Sequence, residues 1–214
     1  MPKSNLTPSE AMYGEFQRAF EFFNERLFSM RLPHVLITLK CKPRSLGHFA
    51  HGRFAGIADA KERASEIAMN PLHFSVRSLR DTLSTLVHEM VHLRQQVEKK
   101  APRAGYHDKV FAQMMLEIGL HPSDTGAPGG AMVGQKMSHY IVEGGPFDLA
   151  CAELLSMGFS LSWTDAGAYD AKKIRPKQDR AKYTCPACEA NAWAKPGTNL
   201  ICGDCDVEMP RATD

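Results

Sequence analysis

Residues 88–92 read His-Glu-Met-Val-His. On a helix, two histidines four apart project from one side, about 40° apart at 100° per residue, so their imidazoles can share one zinc ion. The glutamate between them, Glu89, lies about 60° from His92 around the helix. That offset suits a base taking a proton from an activated water better than it suits a ligand. Leu79, Leu83, Leu86, Met90, Leu93 and Val97 alternate four- and three-residue steps. They form an apolar stripe opposite His88. One helix face is therefore expected to pack into a core, and the other to present His88 and His92. A solvated His-Glu-His surface patch is the alternative.

Catalytic zinc takes three protein ligands and keeps one position open. His107, fifteen residues after His92, is the expected third ligand. Pro102 and Gly105 end the motif helix before it. Phe111, Met114, Met115 and Ile118 then form a second helical stripe that Gly119 closes, so His107 opens a short helix able to fold back over the first. A metzincin would need glycine and histidine within six residues of His92, and Leu93-Arg94-Gln95-Gln96 supplies neither. Glu117 is a rival carboxylate ligand; His121 and His139 are more remote candidates.

Cys185-Pro186-Ala187-Cys188 and Cys202-Gly203-Asp204-Cys205 are two CxxC pairs with thirteen residues between them. Four thiolates at that spacing close a tetrahedral structural zinc site, a zinc ribbon. About thirty residues bury little apolar area, so the metal would supply folding energy. Two zinc ions per chain are expected. Disulfide pairing is the alternative, and nothing here suggests secretion. Cys41 and Cys151 stand alone and are expected as small, partly buried residues.

The elements that must position these groups are signalled around them. Thr7-Pro8-Ser9-Glu10 supplies an N-cap, a proline at the first helical position and a capping-box glutamate. Met12, Tyr13, Phe16, Phe20, Phe23, Leu27 and Phe28 follow at helical spacing. A strand follows Pro33. Residues 41–70 are expected to form a curved antiparallel sheet with loops at Gly47, Gly52 and Gly56, whose edge could pair with an extended peptide. Residues 119–136 read as a Gly-rich loop, a lid or a spacer. Residues 137–142 read as a strand whose His139 or Tyr140 could stabilise an oxyanion. A helix is expected over 147–158 and a strand over 159–163.

These parts, in this order, resemble SprT-like zinc metalloproteases, the group that includes Spartan. The resemblance rests on His-Glu-Met-Val-His, a glycine-containing loop, and His107 followed four residues later by Phe111. Upstream, residues 32–39, Gly47-His48-Phe49 and Ile67-Ala68-Met69-Asn70 are similar to the family's strands, and the Cys-rich segment also fits. The resemblance covers about residues 10–120 and 183–210 and implies an α+β, zincin-like protease domain, with a small antiparallel sheet and a zinc ribbon after it. It also implies zinc-dependent peptide hydrolysis and frequent association with DNA; Spartan-type members degrade proteins trapped covalently on DNA. The chain departs from the pattern over 121–165.

The expected organisation is a protease domain over 1–165, a basic linker over 166–182 and a ribbon over 183–214. Lys172, Lys173, Arg175, Lys177, Arg180 and Lys182 face a single acid, Asp179, between Ala171 and Tyr183. They can pair with phosphates, while Tyr183 and Trp193 can stack on the bases of single-stranded or distorted DNA. A solvated tether is the plainer reading. Net charge over all 214 residues is only +2, so whole-molecule charge does not argue for nucleic acid. No apolar stretch approaches the roughly 20 residues that span a membrane, and the first residues lack a signal-peptide core. An intracellular protein is expected, cytoplasmic or nucleoid-associated, nuclear in a eukaryote. A DNA-binding adaptor with a structural metal site and a general intracellular peptidase without DNA dependence are the functional alternatives.

Overall fold

The computed structural model describes residues 6–42, 45–168 and 180–212. The chain divides into two compact units, Met1–Tyr169 and Asp170–Asp214. The first is α+β. Its helices are α1 (Pro8–Phe28), α2 (Leu79–Val97), α3 (Lys109–Glu117) and α4 (Pro146–Ser156). Its strands are β1 (Leu36–Leu39), β2 (Gly47–Ala55), β3 (Arg63–Met69), β4 (Leu120–Ser123) and β5 (Ser138–Ile141).

The helix starts follow their capping chemistry. Thr7 and Glu10 form the expected reciprocal box at α1. Ser78 accepts from the Asp81 N–H at α2, and Asp108 from the Phe111 N–H at α3. Helix α1 buries Met12, Phe16, Phe20, Phe23 and Phe28, while Tyr13 stays exposed off the stripe. Buried Asn24 exchanges two hydrogen bonds with the Leu32 backbone, at 2.9 and 3.1 Å, and so fixes the turn into β1.

The sheet order is β1-β3-β2, with β2 antiparallel and β1 parallel to β3. The expected antiparallel pairing within residues 41–70 is the β2–β3 hairpin, and it returns the chain alongside β1, which adds to β3 in parallel. Gly47 and Gly52 lie within β2 rather than in loops, and Gly52, at φ +53°, sits where the register shifts between Ala50 and Phe54. Ile37, Ile67 and Met69 enter the core with Leu83, Leu86 and Met90 of α2. On the other face, Glu66 is fully buried beneath longer side chains. Its carboxylate takes Thr38 Oγ1 at 2.6 Å and Lys40 Nζ at 2.5 Å, and Arg53 Nε lies 2.9 Å away.

Three further expectations change. The segment read as loop from 119 begins with β4, which pairs with β5 from Leu120↔Ile141 to Ser123↔Ser138. Residues 159–163 form no strand; Phe159 is buried and Ser162 is held by the Glu15 carboxylate on α1, so side chains anchor this extended stretch. Asp165 N and Thr164 Oγ1 donate to Pro71 O, at 3.2 and 2.8 Å, which ties residues 164–168 to the first unit. Cys41 is exposed, with Sγ 3.2 Å from Asp165, whereas Cys151 is buried.

The second unit contains two hairpins, β6 (Ala181–Thr184) with β7 (Asn191–Ala194) and β8 (Ile201–Cys202) with β9 (Val207–Glu208). Its small core comprises Ala181, Tyr183, Cys185, Cys202 and Met209. Among the described residues, no helix is long and apolar enough to cross a membrane.

Burial pushes the Glu66 carboxyl up, but the hydrogen bonds from Lys40 and Thr38 and the charge of Arg53 outweigh it and hold it below 4.5. A depressed folded pKa stabilises the fold above the unfolded value and loses that contribution as pH falls through the folded value. Glu66→Gln should therefore cost about 1–3 kcal/mol at neutral pH. Chemical denaturation should show the gap between wild type and variant shrinking as pH drops below about 4.5; a gap independent of pH would mean that packing, not charge, holds the site.

Candidate metal centre

Helix α2 carries His88, Glu89 and His92 through the densest part of the first unit. Every residue from Thr82 to Val91 is buried. The expected two-faced helix is therefore covered on its histidine side too, by β2, α3 and β5. Gly47 makes the β2 contact possible, since a Cβ there would lie 3.1 Å from Thr85 Cγ2 and 3.3 Å from Glu89 Oε1. Phe49 lies parallel to the His92 ring at 6.4 Å.

His107 arrives from outside the helix. It directly precedes Asp108, the N-cap of α3, whose carboxylate also accepts from Gln95 of α2 at 3.1 Å. A two-way backbone bridge joins His107 to Gly134, and Nδ1 lies 3.2 Å from the same carbonyl oxygen. Donation from Nδ1–H to that carbonyl sets the tautomer and aims Nε2 at α2. The glycine-rich segment thus orients a candidate metal ligand, a role its composition alone did not suggest. Phe111 lies among the three imidazoles, with ring centroids 5.0, 4.3 and 4.7 Å from those of His88, His92 and His107.

One ligand atom from each of His88, His92 and His107 lies within 4.8 Å of the others. His92 Nε2 and His107 Nε2 are 3.1 Å apart. Two nitrogens about 2.0–2.1 Å from a tetrahedral zinc would be about 3.3 Å apart, so the donor set fits that ion. Burial holds all three imidazoles below their ordinary range, His92 down to about 3. They are neutral at pH 7, the form that offers a lone pair to a metal. Burial likewise pushes the Glu89 carboxyl up to about 8, with the Phe49 backbone N–H pulling the other way. A divalent cation at the imidazoles would pull it down again.

The centre opens on a cleft of about 810 Å³, lined by residues 45–51 of the β2 side, by α2, by residues 101–107 and by residues 135–139. His139 lines it, with its ring 5.3 Å from that of His88 and its Nε2 2.8 Å from Ser84 Oγ. Tyr140 does not. It points to the other side of β5, where it stacks on His121 at 4.7 Å, so neither residue reaches the centre. Glu117 is also elsewhere, held by Arg94 at 2.8 Å.

In the second unit, the sulfurs of Cys185, Cys188, Cys202 and Cys205 cluster within 4.8 Å. The Cys188–Cys202 separation of 3.7 Å matches the edge, about 3.8 Å, of a tetrahedron with Zn–S bonds near 2.3 Å. The Cys188 backbone N–H, opposed by burial and aided by that of Ala187, lowers the Cys185 thiol to about 7. Of the expected DNA contacts, Lys172, Lys173, Arg175 and Lys177 lie outside the described residues. Tyr183 is unsuited to stacking: it is buried, its hydroxyl donates to Lys195 O at 2.9 Å and accepts from Thr198 N at 3.2 Å. Trp193 is 59% exposed and sits opposite Lys182 on the β6–β7 ladder. Arg180, just before β6, is exposed.

Residues 16–128 match the SprT-like family. A Salmonella typhimurium protein described as "Uncharacterized protein in mucB 3'region" is 49% identical over 49 residues, 23% of this chain and 66% of that protein, just under two thirds of its length. No solved structure matches the chain.

His107→Ala should reduce bound zinc from two ions per chain to one, whereas Glu117→Ala should leave two, as read by elemental analysis of protein purified without chelator. Retention of both ions by His107→Ala would place the third ligand elsewhere.

Proposed function

Because the chain belongs to the SprT-like family, matched over residues 16–128, we propose that it is a zinc-dependent endopeptidase acting on proteins bound or crosslinked to DNA. The observation that carries the peptidase reading is the meeting of three neutral imidazoles beside a buried glutamate at the base of an open cleft. His88, His92 and His107 would hold zinc, which when bound supplies Lewis-acid activation of a water and of a peptide carbonyl. Glu89 takes the proton of the attacking water as it adds to the carbonyl carbon. The same carboxyl then delivers that proton to the amine nitrogen as the C–N bond breaks. Its position against β2 keeps the carboxyl in one orientation and largely out of bulk water. Among the described residues the outer edge of β2 has no partner strand, so an extended segment of substrate can add to it.

Support for DNA comes from the second unit. Trp193 offers an exposed ring, and Lys182 and Arg180 offer charge on or beside the same hairpin. An aromatic with adjacent cations fits unstacked bases and their phosphates, without sequence preference. Four Cys ligands would hold a structural zinc there, leaving it no open position for chemistry.

Glu89→Gln should abolish hydrolysis of an unfolded protein substrate while retaining both zinc ions, because glutamine keeps the shape but cannot accept the proton. Residual turnover near wild type would remove Glu89 as the base. For the DNA reading, Trp193→Ala should weaken single-stranded DNA binding about tenfold, in line with about 1–3 kcal/mol per stacked base. Tyr183→Phe should not weaken it, and wild-type binding should fall steeply with salt. Equal cleavage of a DNA-binding protein with and without DNA would leave a general peptidase.

A further inference from the structure

The ring hydrogen of His139, in the cleft wall, can be placed by counting, as that of His107 was. Ser84 Oγ lies 2.9 Å from Asp81 O and 2.8 Å from His139 Nε2. Two oxygens at that distance need a hydrogen between them, and a carbonyl has none to give. The single hydroxyl hydrogen of Ser84 is therefore committed to Asp81. His139 Nε2 must then be the donor to Ser84, and the neutral ring carries its lone pair on Nδ1. The oxyanion role expected for His139 needs a free N–H, and this tautomer leaves none for the cleft.

Nδ1 has no hydrogen-bond partner among the described residues and is not among the sealed, unpaired polar atoms, so it is open to solvent on a residue that lines the cleft. Its place relative to β2 follows from the helix. Thr85 and Glu89, which face Gly47 of β2, lie about 60° and 100° to one side of His88. Ser84, which holds His139, lies about 40° to the other side. The free strand edge and His139 therefore flank the metal centre from opposite sides. An extended peptide added to β2 directs alternate N–H groups at that edge and the intervening ones away from it. Those directed away lose water on entering the cleft and need an acceptor.

We propose that His139 Nδ1 accepts a hydrogen bond from a substrate backbone N–H on the side away from β2, and that Ser84 is the positioning residue that keeps the ring in the acceptor tautomer. This rests on the peptidase reading above. Substrate recognition at His139 is thus by main chain rather than side chain, and it excludes a substrate with proline or an N-alkyl group at the bonded position.

Two measurements on the zinc-loaded full chain test it. Long-range proton–nitrogen NMR of histidine-labelled protein reads each ring's tautomer, with His139 assigned by the signals missing from His139→Phe. His139 should be protonated at Nε2, and Ser84→Ala should turn this single state into a mixture. Protonation at Nδ1 in wild type overturns the proposal whether or not any peptide is cleaved. In the second measurement, a cleaved peptide is remade with each backbone N–H flanking the scissile bond replaced in turn by an ester oxygen. One replacement should lower kcat/KM at least tenfold for wild type and less than twofold for His139→Phe. Ser84→Ala, which keeps the ring, should give an intermediate penalty, and it serves alone where the Phe variant does not fold. Equal penalties in wild type and variants at every position overturn the proposal. No cleavage of any peptide by wild type overturns the peptidase reading and this proposal with it, whereas the tautomer and ester results overturn this proposal alone.

Discussion

Everything in the first unit turns on desolvating three imidazoles together. Each alone would be an awkward guest in an apolar core, since a buried polar group without a partner costs about 1–3 kcal/mol. Gathered around Phe111, they share one environment that strips their protons and aims their nitrogens inward. The buried Nδ1 of His88, which has no partner among the described residues, shows that this arrangement is not free of cost. A metal ion at the convergent nitrogens offsets such a cost, because its binding energy is coupled to the folded state.

That arrangement requires contacts from distant parts of the chain. Helix α2 supplies two imidazoles, but its own geometry cannot bring the third. The backbone bridge between His107 and Gly134 does so, spanning 27 residues of sequence. The pairing of β4 with β5 places His139 on the flank of α2 opposite β2. Residues 119–141 are thus a framework for the cleft, not a spacer. Close packing at Gly47 serves the same end from the other side, since any larger residue would press on Thr85 and Glu89.

The second unit solves a different problem. Its apolar core is five buried residues, two of them cysteines of the proposed zinc site. Zinc held by the four clustered sulfurs would replace the missing hydrophobic area, because structural zinc contributes about 10–16 kcal/mol in comparable small domains. This leaves the outer face of the β6–β7 hairpin free of packing duties, and Trp193 stands exposed on it.

Local chemistry was legible in the sequence wherever one element sufficed. The capping box at Thr7, the aromatic stripe of α1, the histidine pair on α2 and the paired CxxC motifs all follow from spacing along one helix or one hairpin. His107 could be named because a glycine-containing loop and a short amphipathic helix bracket it. Tertiary structure decided the rest, for reasons of register and packing. Tyr183 and Trp193 are both aromatic, yet alternation across the hairpin buries one ring and exposes the other. His139 and Tyr140 are adjacent, yet the strand sends one into the cleft and the other onto His121. The tautomer of His139 depends on a hydroxyl 55 residues away, which in turn depends on a carbonyl of its own helix. Residue types and spacing establish which groups could do chemistry; the direction in which each lone pair and hydrogen points is set by partners that only the folded chain brings within reach.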